Sequence, residues 1–102
     1  MAELPHDNRR EHTRYKYVKP MQLTVAKRTL KGFMADIGQG GASFIVDTIV
    51  IPGNVKVELP EADLVLEGRI LGHQPAAHPG LYRHHMQFKS ILLTADLENL
   101  LG

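Results

Sequence analysis

Val55-Lys56-Val57-Glu58-Leu59 alternates apolar and charged residues without a break and stops at Pro60. Successive side chains of a strand point to opposite faces, so Val55, Val57 and Leu59 meet a core while Lys56 and Glu58 meet water. The same period continues on either side. Upstream, Met21, Leu23 and Val25 take the core face, with Gln22, Thr24 and Lys27 outward or at the strand end. A second strand sets Lys31, Phe33, Ala35 and Ile37 on one face and Gly32, Met34 and Asp36 on the other. Residues 42–51 are apolar and rich in β-branched side chains, and Pro52-Gly53-Asn54 ends them. Downstream, Leu64, Leu66, Gly68 and Ile70 line one face of a fifth strand, with Val65, Glu67, Arg69 and Leu71 opposite and Gly68 the place for a bend. A His/Pro/Ala/Gly loop over residues 73–80 leads to Tyr82, His84, Met86 and Phe88 at spacing two.

Six short strands divided by Gly, Pro and Asn predict an all-β fold, a six-stranded antiparallel barrel that closes and leaves no long exposed edge. The tail changes period. Thr94 reads as the N-cap of a short helix whose Leu97, Leu100 and Leu101 fall at i, i+3 and i+4, too short to stand without docking on the strands or on a partner. Residues 1–15 are polar with no sustained apolar period and read as a flexible N-terminal arm. The expected organisation is that arm followed by a barrel with a C-terminal helix over residues 16–102.

A chain of 102 residues with 43% apolar side chains supports one modest core. The absence of cysteine excludes disulfides, thiolate zinc sites and cysteine nucleophiles. No apolar run approaches a signal core or the roughly 20 residues of a membrane span, so a soluble, cytoplasmic protein without membrane contact is expected. The net charge of +1 conceals an asymmetry. Residues 1–31 hold eight Lys or Arg against three acids, a surplus of five, whereas the remainder holds four against eight, a deficit of four. Positive potential gathers in the arm and first strand, where a small anion is drawn; a long nucleic acid usually meets a broader basic surface.

The chemistry concentrates in two stretches. Arg10 and Arg14 stand four residues apart with Arg9 directly ahead of them, and Asp36-Ile37-Gly38-Gln39-Gly40-Gly41 follows some twenty residues on. A guanidinium grips a phosphate with two parallel hydrogen bonds or takes O6 and N7 on the edge of a guanine. A glycine turn offers backbone N–H groups at close range, and an acid accepts from the donor edge of the same base. Together these residue types point to a guanine-containing phosphodiester. Taken singly they say less: basic residues near a terminus are commonly a solubilising tail, and a glycine cluster between strands is commonly a hairpin that needs positive φ. Neither a Walker loop nor a dinucleotide fingerprint fits the turn, since no Gly-Lys-Ser/Thr follows and a strand comes next.

The six histidines form no metal spacing; His84 and His85 point to opposite faces, His84 into the barrel and His85 outward. No Ser/His/Asp or paired-carboxylate set stands out, so no enzyme is expected.

The order and spacing of the two stretches resemble the PilZ domain family, whose signature is R-x-x-x-R ahead of the first strand and D/N-x-S-x-x-G between the second and third. Here these read Arg10-Glu11-His12-Thr13-Arg14 and Asp36-Ile37-Gly38-Gln39-Gly40-Gly41, and the strand over residues 82–88 with the helix behind it looks like the family's end. The resemblance implies a bacterial receptor for cyclic di-GMP, with no other cofactor. It carries Arg10 and Arg14 onto the family's guanine- and phosphate-contacting arginines, Asp36 onto its acid or amide, and Gly41 onto its closing glycine. Arg9 occupies a place that the family associates with a stacked pair of ligand molecules. Gly38 stands where the family has serine, which removes one hydroxyl contact. A small adaptor follows, monomer or homodimer, signalling to an unidentified downstream protein in motility, pili or exopolysaccharide production. The rivals are a degenerate module of the same fold that no longer binds nucleotide, kept alive by Gly38, and an oligonucleotide-binding barrel, for which three Phe, three Tyr and no Trp supply few stacking platforms.

Overall fold

The alternating segments pair into one antiparallel sheet that closes on itself. The computed structural model of the chain describes residues 13–102. Its elements in chain order are β1 (Tyr15–Lys16), β2 (Pro20–Val25), β3 (Arg28–Ile37), β4 (Gly41–Val46), β5 (Gly53–Leu59), a 3₁₀ turn (Pro60–Ala62), β6 (Leu64–Pro75), β7 (Tyr82–Phe88) and α1 (Thr94–Leu101). Strands pair around the ring as β3-β2-β5-β6-β7-β4 and back to β3, a six-stranded barrel, and β1 adds a seventh strand beside β3. Among the described residues no helix is long and apolar enough to cross a membrane.

The inward faces of the strands fill the barrel. Met21 and Leu23 of β2, Val57 and Leu59 of β5, Leu66 and Ile70 of β6 and Met86 of β7 are all buried. Removing such side chains from water contributes about 1.5–3 kcal/mol each, and this is what holds the sheet closed. Leu92 and Leu97 join the same core and dock α1 on the barrel. Leu64, Leu66 and Ile70 face in or lie half-covered while Val65, Glu67, Arg69 and Leu71 face out, as their alternation predicts. Gly68 permits close approach of strands: a Cβ there would stand 2.1 Å from the Gln87 carbonyl oxygen.

Four local expectations are corrected. β3 does not alternate strictly; its register against β4 shifts between Met34 and Asp36, leaving Ala35 as an extra residue. Phe33 is consequently exposed and Met34 and Ile37 are both buried. β4 stops at Val46 and does not continue to Ile51, because the Val50 N–H leaves the ladder and donates to His84 Nε2 at 2.9 Å. β6 runs on through His73 to Pro75, since β7 offers Tyr82 to His85 as its partners. The N-cap position of α1 is Leu93, with no side-chain cap, and Thr94 is the first helical residue.

Within the core, His84 is fully buried and stacks on Phe44 with ring centroids 5.3 Å apart and planes within 9°. Accepting the Val50 N–H requires Nε2 to be unprotonated. Burial pushes the imidazole below its ordinary value, against an opposing pull from the Tyr82 backbone, and the nearby His73 and His85 lower it further.

Candidate functional site

The bulge at Ala35 decides where the acid of the glycine turn points. Met34 pairs with Phe44, both buried, and the next pair is Asp36 with Ser43, so the extra residue turns Asp36 away from the barrel interior. The chain before β2 then lies along this part of β3. The Tyr17 N–H donates to the Ala35 carbonyl at 3.0 Å, the Met34 N–H donates to the Lys19 carbonyl at 2.8 Å, and Tyr15 and Lys16 pair with Ile37 and Asp36. This strand pairing delivers Arg14 to the site. Its Nη1 donates to Asp36 Oδ1 at 2.7 Å.

A second guanidinium arrives from the far side. Arg83 of β7 donates through Nη2 to Asp36 Oδ2 at 2.5 Å. Asp36 is thus held between two arginines, and the three groups carry a net positive charge. Burial alone pushes the Asp36 carboxyl up, but the hydrogen bonds and charges of Arg14 and Arg83 outweigh it and hold the group below the usual carboxylate range. Beside them Ser43 Oγ and His85 Nδ1 lie 3.1 Å apart, with His85 half-buried where the sequence pattern expects it exposed.

The glycine turn is closed by the Gly38 N–H donating to the Gly41 carbonyl at 2.9 Å. Both glycines are buried under neighbouring chain. A Cβ on Gly41 would meet the Met86 carbonyl oxygen at 2.4 Å and Arg14 Nη2 at 3.0 Å, and one on Gly38 the Thr13 carbonyl oxygen at 2.5 Å. Gln39, at the tip, ties the turn to the C-terminal segment. Its carbonyl accepts from the Leu92 N–H at 2.8 Å, and its side-chain amide donates to the Leu92 carbonyl at 3.0 Å and to Thr94 Oγ1 at 3.2 Å.

Of the six candidate residues, Arg14, Asp36, Gly38 and Gly41 come together at this turn, while Arg9 and Arg10 lie outside the described residues. Sequence reasoning missed Arg83 and Gln39. Arg83 carried one signal, an outward place between the inward Tyr82 and His84, but its pairing with Asp36 spans 47 residues and depends on the β4–β7 register. A groove of about 790 Å³ lined by Thr24, Lys56, Glu67, Arg69 and Lys89 lies elsewhere on the barrel and shares no lining residue with the arginine–aspartate cluster.

The family model of the PilZ domain matches residues 8–102, a span that includes both arginines of the R-x-x-x-R stretch and the whole glycine turn. The chain belongs to the PilZ domain family. Two solved structures share the fold of this PilZ domain. One is the Bacillus subtilis inhibitor of motility MotI/DgrA, 17% identical, with a TM-score of 0.64 over 91% of this chain and 47% of that one. The other is the PilZ domain of YcgR from Escherichia coli, determined with cyclic di-GMP, 16% identical, with a TM-score of 0.59 over 91% of this chain and 86% of that one. This PilZ domain therefore spans about half the length of the Bacillus protein. No curated protein matches the chain.

Proposed function

We propose that the protein is a cyclic di-GMP receptor that works as an adaptor and not as an enzyme: ligand captured between the arm and the glycine turn reorders the arm and changes how a downstream protein is engaged. The observation that carries this reading is the convergence of Arg14, Asp36 and the 38–41 turn on one outer face of the barrel. Cyclic di-GMP has two phosphates and two guanines, and arginine serves such a ligand as salt bridge, bidentate base reader and stacking plate, whereas lysine offers only the first. Arg9 and Arg10 stand five and four residues ahead of Arg14 and add two guanidinium groups to the same end of the chain. Arg83 joins the proposed set as the group that keeps Asp36 ionised and oriented. A motility output is supported by the description of MotI/DgrA as an inhibitor of motility, and the nucleotide by the ligand in the YcgR structure.

Gly38 favours a second reading, a module of the same fold without nucleotide affinity, because the serine hydroxyl of the family signature is missing. Calorimetric titration with cyclic di-GMP separates the two. Saturable binding by the natural protein is expected, weakened about ten- to a hundredfold in Arg10→Ala and Arg14→Ala, the loss of one charge-assisted contact of roughly 1.5–3 kcal/mol. Equal heats for all three proteins defeat the receptor reading.

A further inference from the structure

Glycine at position 38 is not required by its own backbone. Its φ lies outside the left-handed region, unlike those of Gly53, Gly80 and Gly102, so any residue could adopt its conformation. What excludes a side chain is the arm. A Cβ would stand 2.5 Å from the Thr13 carbonyl oxygen and 3.0 Å from Arg14 Cδ. Residues 13–16 can lie flat on the turn only because nothing projects from Gly38.

Residues 13–16, the described end of the arm, cover the site. The Arg14 side chain is 17% exposed and the Asp36 side chain 14%, and each is engaged by the other. A phosphate or guanine reaches that guanidinium only after the arm lifts. Lifting leaves Asp36 with a partner, since Arg83 holds its second oxygen, so Arg14 departs without stranding a half-buried carboxylate.

We propose that Gly38 is the gate of this domain: it lets the arm close on its own binding site, so that cyclic di-GMP binds in competition with the Arg14–Asp36 pair. This rests on the receptor reading above. Apparent affinity then equals intrinsic affinity multiplied by the fraction of molecules with the arm lifted, and the departure from serine sets that fraction low. The serine of the family signature adds a hydroxyl and also, by its Cβ, forbids this closed arm.

Gly38→Ala separates the two effects, because alanine supplies the Cβ without the hydroxyl; Gly38→Ser supplies both. Amide exchange of Tyr17, whose N–H is held by Ala35, reports arm closure without any ligand, and exchange of Leu23 in the β2–β3 ladder reports intact folding. Both variants are expected to exchange Tyr17 several-fold faster with Leu23 unchanged. Both are also expected to bind cyclic di-GMP about tenfold more tightly in calorimetry, the population shift produced by removing a modest closed-state preference. Unchanged Tyr17 exchange overturns the gate whatever the ligand does, and so does weaker binding by Gly38→Ala. Faster Tyr17 exchange with no heat of binding in any of the three proteins overturns the receptor reading and the competition, leaving only the arm closure.

Discussion

Replacing Asp36 by alanine tests whether the arm is held by its ion pairs. The carboxylate receives two charge-assisted hydrogen bonds, one from Arg14 at 2.7 Å and one from Arg83. Such a bond contributes about 1.5–3 kcal/mol when shielded. The Arg14 pair is well covered, at 17% and 14% exposure, and takes a value in that range. Arg83 is 36% exposed, so solvent screens its contact and reduces it to about 0–1 kcal/mol. Asp36→Ala also leaves two guanidinium groups side by side without their anion, so the expected total loss is about 2–3 kcal/mol. For a domain of this size that corresponds to a melting temperature lower by roughly 10–20 °C.

The sign of the pH dependence makes the prediction stricter. The folded Asp36 carboxyl titrates below its unfolded value, so its stabilising contribution is complete above about pH 4 and is lost as pH falls through the folded pKa. Urea unfolding of the natural protein and of Asp36→Ala at pH 7 and again near pH 3 therefore has a defined outcome. The gap should be about 2–3 kcal/mol at neutral pH and should narrow as acid protonates Asp36 in the natural protein. A gap under about 0.5 kcal/mol at pH 7, the range of ordinary surface substitutions, refutes the ion-pair account. A gap that stays constant into acid refutes it as well.

Two further outcomes follow from the core and from the turn. His84 has a depressed folded pKa, so the unfolded chain takes up a proton first and stability should fall as pH drops below about 6.5, levelling once the folded form titrates. In His84→Phe, which preserves an aromatic ring against Phe44 but gives the Val50 N–H no acceptor, that slope should flatten while stability at pH 8 drops by about 1–3 kcal/mol; a retained slope in chemical unfolding assigns the acid sensitivity elsewhere. Gln39→Ala removes the two side-chain bonds to Leu92 and Thr94 and should speed amide exchange at Leu97, the first hydrogen-bonded amide of α1, by a factor of a few, since a neutral bond contributes about 0.5–1.5 kcal/mol net. Unaltered exchange there means that α1 is held by the packing of Leu92 and Leu97 together with the Leu92 N–H bond to the Gln39 carbonyl, which the substitution leaves in place.

Period-two alternation was enough to place β2, β5, β7 and the first part of β6 and to orient their side chains, because each of these strands buries one face and a single slip would expose it. The helix was legible from three leucines, but its cap was not. Thr94 has the residue type of an N-cap, and yet its hydroxyl accepts from Gln39, a residue 55 positions away. A local pattern cannot reveal that competition, because capping and a tertiary hydrogen bond ask for the same side chain. The end of β4 was hidden for a similar reason: residues 47–51 are as apolar as a strand, and only the His84 imidazole explains why the Val50 N–H leaves the ladder.

The bulge at Ala35 shows why a site can be read in composition and still be misplaced in space. By strict alternation Asp36 shares the face of Met34, and Met34 is buried, so the acid would point into the barrel with no cation near it. An ionised carboxylate in that place is prohibitively costly. The structure resolves the conflict with one extra residue: Met34 stays inside with Phe44, Asp36 moves outside with Ser43, and the Ala35 carbonyl, freed from the β4 ladder, accepts the Tyr17 N–H that begins the arm's pairing. The same bulge therefore aims the acid, anchors the arm and brings Arg14 over Gly38. Each of these depends on strand pairings that a local pattern does not show, β1 on one side of β3 and β4 with the distant β7 on the other. It follows that restoring strict alternation, by deleting Ala35, should cost more than the pairing energy of a single residue, because Asp36 would have to be buried or Met34 exposed and the arm would lose its first backbone acceptor.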